Sequence, residues 1–255
     1  MNAIILAAGE GTRLRPHTLD RPKCLVEIDG RSLLDRQLAV LTSEQVNPIV
    51  IGGYRAEMLA RAGVGLRMNP RYAETNMVWT LFCAEADLDD ELIVSYADIV
   101  YSRGVLRALL ASRADAAVTI DLKWASYWSA RYNNPLDEAE TLRLTADGRI
   151  LELGKKPRSL AEVEGQYIGL MKFSARGVQA LRRVFQDGKD AGVLQGKPVE
   201  KAYMTDLLQS LIDTGFPVHS VPVSGEWVEV DTVDDLRSAI TRSRLQQIEE
   251  AQSTG

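Results

Sequence analysis

The chain has 255 residues, a formal net charge of −5, 45% hydrophobic and 25% charged residues, so it can bury the core of one large α/β domain. The acidic balance excludes the strongly basic profile of a nucleic-acid binder, and there is no run of about 18 apolar residues to span a membrane. Cys24 and Cys83 are far apart, make no metal-type spacing and read as reduced thiols; the first apolar run has no basic flank, and the expected location is the cytoplasm.

Residues 3–7 form a continuous apolar run, which predicts a strand covered on both faces. Ser32 stands before Leu33, Leu34, Leu38 and Leu41, a one-face spacing with a capping residue in front. Residues 48–53 predict a strand, 56–62 a short helix, GLRMN a short strand and NMVWTLFCAEADL a helix. The acidic cluster Asp89, Asp90 and Glu91 reads as a solvated turn ahead of the strong strand ELIVSYAD. Residues 103–112 predict a helix and AAVTIDL a further strand. This alternation implies a Rossmann-like, mostly parallel sheet with helices on both faces.

From about Trp124 to Ser174 the pattern changes to short strand-like pieces. ETLRLT and RILELG flank the hairpin signal Asp147-Gly148, and QYIGLMKFS follows. Residues from about 123 to 174 are therefore expected to form a β-rich substrate lobe inserted in a single domain spanning 1–255. Residues 178–185 and 202–212 are amphipathic helices, and PVHSVPVSG and WVEV are late strands. A last helix should run from Asp231 or Thr232 to about Glu250, with a frayed AQSTG tail. The late helices leave monomer and homodimer open.

Chemistry concentrates after the first strand, in Leu6, Ala7, Ala8, Gly9, Glu10, Gly11, Thr12 and Arg13. Glycines at a strand end let backbone N–H groups approach an anion, and an arginine grips phosphate with paired donors. Lys23 follows in Arg21-Pro22-Lys23 as a point charge behind a stiff turn. There is no G-K-[ST] of a P-loop, and Leu14 stands where a dinucleotide fingerprint needs its third glycine.

LAAGEGTRLRPHT followed by RPKCLV resembles the signature of the nucleotidyltransferase superfamily that makes nucleoside-diphosphate sugars and CDP-alcohols. Every position of L-A-A-G-x-G-[ST]-R-[LM]-x-P-x-T and of the later P-K is matched. The resemblance implies the nucleotide-diphospho-sugar transferase fold, with Arg13 and Lys23 catalytic and the loop from Leu6 to Arg13, Lys23, Asn76, Ala97 and Asp98 on the nucleotide. It implies Mg²⁺ held by Asp98 after LIVSYA and Asp231 in WVEVDT, although Asp231 also reads as a helix cap. It places a catalytic, acceptor-binding lysine at Lys156 in GKKP; Lys155 stands where the family has an acid, which leaves open which lysine turns inward.

NPRYAETNMVWTLFCA resembles the cytidylyltransferase branch that activates phosphocholine, and the run on through YADIVY, NPLDEAETL and QYIGLMKFS resembles enzymes acting on phosphoglutamine in capsule modification. The expected partners are CTP, or another pyrimidine triphosphate, and a small phosphorylated acceptor: phosphoglutamine, phosphocholine or a phosphonate. Pyrophosphate would be the leaving group. The alternatives are a sugar-1-phosphate uridylyl- or thymidylyltransferase and a non-catalytic nucleotide-sensing homologue. For the acceptor, three of the aromatic residues Trp124, Tyr127, Trp128 and Tyr132 can box a quaternary ammonium with Asp121 as counter-charge, or Arg131 can take a carboxylate. Tyr167 joins this set. The competing reading is that Trp124 and Trp128, four apart, form one packed helix face.

Overall fold

The computed structural model describes residues 1–88 and 90–253. Its strands are β1 (Asn2–Ala7), β2 (Asn47–Gly52), β3 (Gly65–Met68), β4 (Leu92–Tyr96), β5 (Ile99–Tyr101), β6 (Ala116–Asp121), β7 (Leu142–Leu144), β8 (Ile150–Leu153), β9 (Gln166–Phe173), β10 (His219–Val223) and β11 (Trp227–Glu229), besides two small ribbons of two-residue strands, Glu27–Ile28 with Arg31–Ser32 and Val193–Leu194 with Lys197–Pro198. Seven strands form the main sheet in the order β10-β6-β9-β4-β1-β2-β3. Within it every neighbouring pair is parallel except those made by β9, which runs antiparallel to both β4 and β6.

The continuous apolar run of β1 is explained by burial on both faces. Ile4 and Leu6 belong to one hydrophobic cluster, Ala3, Ile5 and Ala7 to the other. Helices α1 (Leu33–Ser43), α3 (Arg103–Ala111) and α4 (Trp124–Arg131) cover the second face, while α2 (Met77–Phe82), α5 (Ala175–Ala191) and α6 (Met204–Asp213) cover the first. Ser32 caps α1 as expected, its hydroxyl accepting from the Asp35 N–H at 3.0 Å. No helix among the described residues is long and apolar enough to cross a membrane.

Three elements differ from the sequence reading. Residues 124–131 are helical, because Trp124, Tyr127 and Trp128 all turn inward at helical spacing. β9, expected in the lobe, lies inside the main sheet, and all eight of its residues are buried. The last helix is two, α7 (Val233–Arg237) and α8 (Ala239–Ser253): Ser238 is extended and its carbonyl accepts from the Arg242 N–H, the geometry of a serine N-cap. The expectations for Asp89 and for Thr254 and Gly255 of the tail lie outside the described residues.

Two features position the site. The parallel register Leu6↔Tyr96 sets the carboxyl ends of β1 and β4 side by side. Beyond β4, the short ribbon of β5 against β11 pairs Ile99 with Glu229, and the Val230 N–H donates to the Asp98 carbonyl at 3.0 Å. That ribbon brings together two aspartates distant in sequence.

Candidate active site

Leu6, Ala7, Ala8, Gly9 and Gly11 line a pocket at the end of β1, closed by Lys23, Asn76, Ala97 and Asp98. Gly11 has φ +63°, and a Cβ there would meet the Lys23 Cβ at 2.7 Å, so only glycine lets the loop lie on the lysine stem. The Thr18 hydroxyl fastens the loop by donating to the Gly11 carbonyl at 2.9 Å. Glu10, Thr12 and Arg13 do not line this pocket: Glu10 pairs with Arg15 at 2.9 Å, Thr12 opens a 3-10 turn, and Arg13 lines the neighbouring cleft. Asn76 caps α2, its side-chain oxygen accepting from the Met77 N–H at 2.8 Å. Sequence reasoning missed Tyr72, Thr75 and Tyr96, which line the wall together with Cys24, Met77 and Thr80. The legible signal for Tyr72 was the Gly52-Gly53 pair ending PIVIGG, since a Cβ on Gly53 would sit 2.4 Å from the Tyr72 Cβ.

Asp98 and Asp231 converge on one ammonium. Lys23 Nζ donates to Asp98 Oδ2 at 2.7 Å and makes a second, short contact with Asp231 Oδ1. Burial pulls the Lys23 pKa down, but the attraction of the two carboxylates overcomes it and holds the pKa well above the ordinary lysine value. Burial pushes Asp231 up, while Lys23, Arg13 and Arg131 outweigh it and keep its pKa below the usual carboxylate value. Arg13 reaches the same aspartate from the far side, at 3.1 Å. Asp231 is not the helix cap: the Thr232 hydroxyl accepts from the Asp235 N–H, and Asp235 accepts from the N–H groups of Asp231 and Thr232 at 2.9 Å. This reciprocal cap leaves the Asp231 side chain free to face the lysine.

The donor set fits a hard divalent cation completed by substrate. Asp98 Oδ1 is buried and has no hydrogen-bond partner among the described residues. Among the described residues there is no group of three or more potential metal-binding side chains. One or two carboxylates with the other ligands from phosphate and water is the Mg²⁺ arrangement, not that of an all-protein cage.

A second cleft adjoins the aspartates. Arg13, Trp128, Tyr167, Glu140, Glu229 and Asp231 are among its walls. Its floor is a bulge in β9, where Gly169 at φ +82° lies so close to the Tyr96 ring that a Cβ would approach to 2.6 Å. Of the acceptor residues expected from sequence, Trp128, Tyr132 and Tyr167 line this cleft, and Asp121, Trp124, Tyr127, Arg131 and Lys156 do not. Asp121 is fully buried; its oxygens accept from the N–H groups of Lys123 and Gly225 and from Trp227 Nε1 at 2.8 to 3.0 Å. It is a latch between β6 and β11, with no lone pair directed at a ligand cleft. Trp124 is core, donating to the Val163 carbonyl at 3.2 Å. The Arg131 side chain is 0% exposed and committed to Glu229 at 2.6 Å and Asp235 at 2.9 Å, so it has no donor for an acceptor carboxylate. Burial and the neighbouring Asp231 push the Glu229 carboxyl up to about 8 in spite of that arginine.

Lys156 is exposed and is not a wall of the cleft; its ammonium donates to the carbonyls of Leu136, at 2.6 Å, and Asp137. Lys155 also points outward, to Glu152 at 2.5 Å. The glycine before them, Gly154, has φ +83° and packs so tightly on Thr205 that a Cβ would approach its Cβ to 2.6 Å. Sequence reasoning also missed Glu138 and Glu140, which look like ordinary loop acids in NPLDEAETL.

Residues 3–195 match the MobA-like NTP transferase domain family. The chain is 40% identical over 95% of its length to a CTP:phosphoglutamine cytidylyltransferase of Campylobacter jejuni, all of which is covered. Among solved structures it resembles the inositol-1-phosphate CTP transferase from T. maritima, with TM-score 0.74, 21% identity and coverage of 98% of this chain and 96% of that one. It also resembles the CTP:phosphocholine cytidylyltransferase from Streptococcus pneumoniae, with TM-score 0.70, 22% identity and coverage of 95% and 98%. These likenesses extend over the whole sheet and bear out the Rossmann-like fold.

Proposed function

The chain belongs to the MobA-like NTP transferase domain family, and from that membership we infer that it is a cytidylyltransferase transferring CMP from CTP to a small phosphorylated acceptor, with release of pyrophosphate. Phosphoglutamine, phosphocholine and related phosphonates are the acceptors to test first, given the relatives' reactions. The observation that carries the reading is the convergence of Asp98 and Asp231 on Lys23 beside the glycine loop.

An acceptor phosphate oxygen attacks the α-phosphorus of CTP, forming one P–O bond as the bond to the β-phosphate bridging oxygen breaks. The nucleophile is already an anion, so no protein base is required, and catalysis is positioning plus charge neutralisation. The loop from Leu6 to Gly11 holds the nucleotide by backbone N–H groups. Lys23 stabilises the charge that builds on the α-phosphate, and Arg13, which lines the adjoining cleft and reaches Asp231, grips the departing phosphates. Mg²⁺ held by Asp98 and Asp231 would supply further charge neutralisation at the phosphates.

The test is pyrophosphate release with CTP, UTP, dTTP and ATP, each with and without phosphoglutamine, phosphocholine, aminoethylphosphonate and glucose-1-phosphate. Acceptor-dependent release with CTP is expected. Release only with UTP or dTTP and glucose-1-phosphate would replace this reading with sugar-nucleotide synthesis, and release with none would leave a nucleotide-sensing protein.

A further inference from the structure

The acceptor-side cleft contains four carboxylates, Glu138, Glu140, Glu229 and Asp231. Three are in ion pairs within the protein: Glu138 faces Arg13 at 3.8 Å, Glu229 is bound by Arg131, and Asp231 by Lys23 and Arg13. The Glu140 side chain has no hydrogen bond or ion pair among the described residues. Lys197, whose charge is felt at Glu140, is bound by both oxygens of Asp206 at 2.8 Å.

Two neighbouring groups are also unused. Gln166 is 4% exposed; its side-chain oxygen accepts from the Glu140 N–H at 3.4 Å, and its amide nitrogen has no partner among the described residues. Trp128 is 3% exposed, and its Nε1 is buried without a partner. Of these groups, Trp128 Nε1 is a buried donor left unsatisfied, at considerable cost unless something else satisfies it, while the Glu140 carboxylate and the Gln166 amide nitrogen stand without a protein partner on the cleft wall among the described residues. Tyr167 and Tyr203 line the same cleft, and the Tyr203 ring already carries the Lys197 ammonium 4.8 Å from its centroid.

We propose that Glu140 is the specificity-determining residue of the acceptor site, pairing with a cationic nitrogen carried by the phosphorylated acceptor. The proposal rests on the cytidylyl-transfer reading and adds to it the chemical class of the acceptor: an amine or quaternary ammonium phosphate, not a neutral polyol or sugar phosphate. The unused donors of Gln166 and Trp128 then serve polar oxygens of the same head group. The counter-charge that sequence reasoning assigned to Asp121 falls on Glu140, because Asp121 is consumed under Trp227.

Isosteric pairs isolate the charge. Phosphocholine is compared with 3,3-dimethylbutyl phosphate, and O-phosphoethanolamine with propyl phosphate, by calorimetry on the full chain with CTP and EDTA so that no turnover occurs. Wild type should bind at least one cationic member at least about tenfold more tightly than its neutral isostere. E140Q should bring that ratio to within about twofold of unity, and E140D should restore part of it, while CTP affinity stays unchanged in both. Equal binding of every isosteric pair by wild type, including no binding at all, overturns the proposal even if the variants fail to fold. So does a preference that survives E140Q. Pyrophosphate release is measured separately: its absence with every acceptor, beside a charge preference that E140Q removes, would refute cytidylyl transfer and leave the cationic site standing.

Discussion

On the nucleotide side, the site is framed by the glycine-rich backbone at the end of β1, which lies upon Lys23, with side chains such as Tyr72, Asn76 and Asp98 around it. On the acceptor side it is made of side chains from α4, the loop ahead of β7, β9, α6 and β11. A backbone cradle tolerates few changes of sequence, because its form depends on glycines such as Gly11 that a Cβ would push off Lys23. A wall of side chains can be exchanged residue by residue without disturbing the sheet beneath it. One side therefore fixes the reaction and the other selects what is reacted.

The largest expected effect tests that division at its boundary. Asp98→Asn and Lys23→Met should each lower kcat by at least about 100-fold, as when a preorganised transition-state contact is removed. The KM for the acceptor should change little, and thermal melting should show a folded protein. Steady-state pyrophosphate release gives both constants. A variant that raises acceptor KM with kcat intact would show that the aspartate pair serves the acceptor side, and the division would fail.

Arg131 sharpens the comparison from the other direction. It is stacked on Tyr127, Trp128 and Tyr132 and ties Glu229 and Asp235 to α4. Arg131→Leu leaves two buried carboxylates without their partner, which costs about 3–5 kcal/mol. Urea denaturation should show that loss. An acceptor-KM defect with undiminished stability would instead return Arg131 to the role of acceptor ligand that the sequence suggested.

The same contrast explains what was legible. The loop from Leu6 to Arg13 is contiguous, and its glycines and arginine state their purpose within one short string. Asp98 and Asp231 were legible as strand-end acids, but only the β5–β11 ribbon makes them neighbours. The acceptor cleft had no such string. Trp124, Trp128 and Arg131 share one helix, yet only the Trp128 side of that helix reaches the cleft; the rest is core and ion pair. A lone acid such as Glu140 carries no pattern at all, and its importance lies in the absence of a partner, which only coordinates reveal. The fold was easier, because period-2 and period-3.6 patterns are local. The misreading of β9 arose because one hydrophobic strand looks the same in a lobe or in the middle of a sheet.

The pH response gives a smaller effect confined to the acceptor side. Burial, with added repulsion from Asp206 on α6 and only partial relief from Lys197, pushes the Glu140 carboxyl up to about 7. Below that value the group is a neutral acid and cannot pair with a cation; above it the carboxylate forms. The affinity for O-phosphoethanolamine or phosphocholine, divided by that for the neutral isostere to cancel titration of the shared phosphate, should therefore rise by about tenfold between pH 6 and pH 8. E140Q should flatten the ratio, and CTP binding should show no matching change. A ratio already flat in wild type would mean that the acceptor side does not select by this charge.

Lys156→Ala should have the least effect. The ammonium is exposed and braces the Leu136 and Asp137 carbonyls, just ahead of the loop segment that carries Glu138 and Glu140 into the cleft. A solvated contact of this kind is worth about 0.5 kcal/mol, which corresponds to about a twofold change in acceptor KM and no change in kcat. If the variant instead loses kcat on the scale of Asp98→Asn, then Lys156 leaves those carbonyls during turnover to meet the acceptor phosphate. The acceptor side would then share in the chemistry, and the separation between a reacting half and a selecting half would need to be drawn on the other side of the lobe.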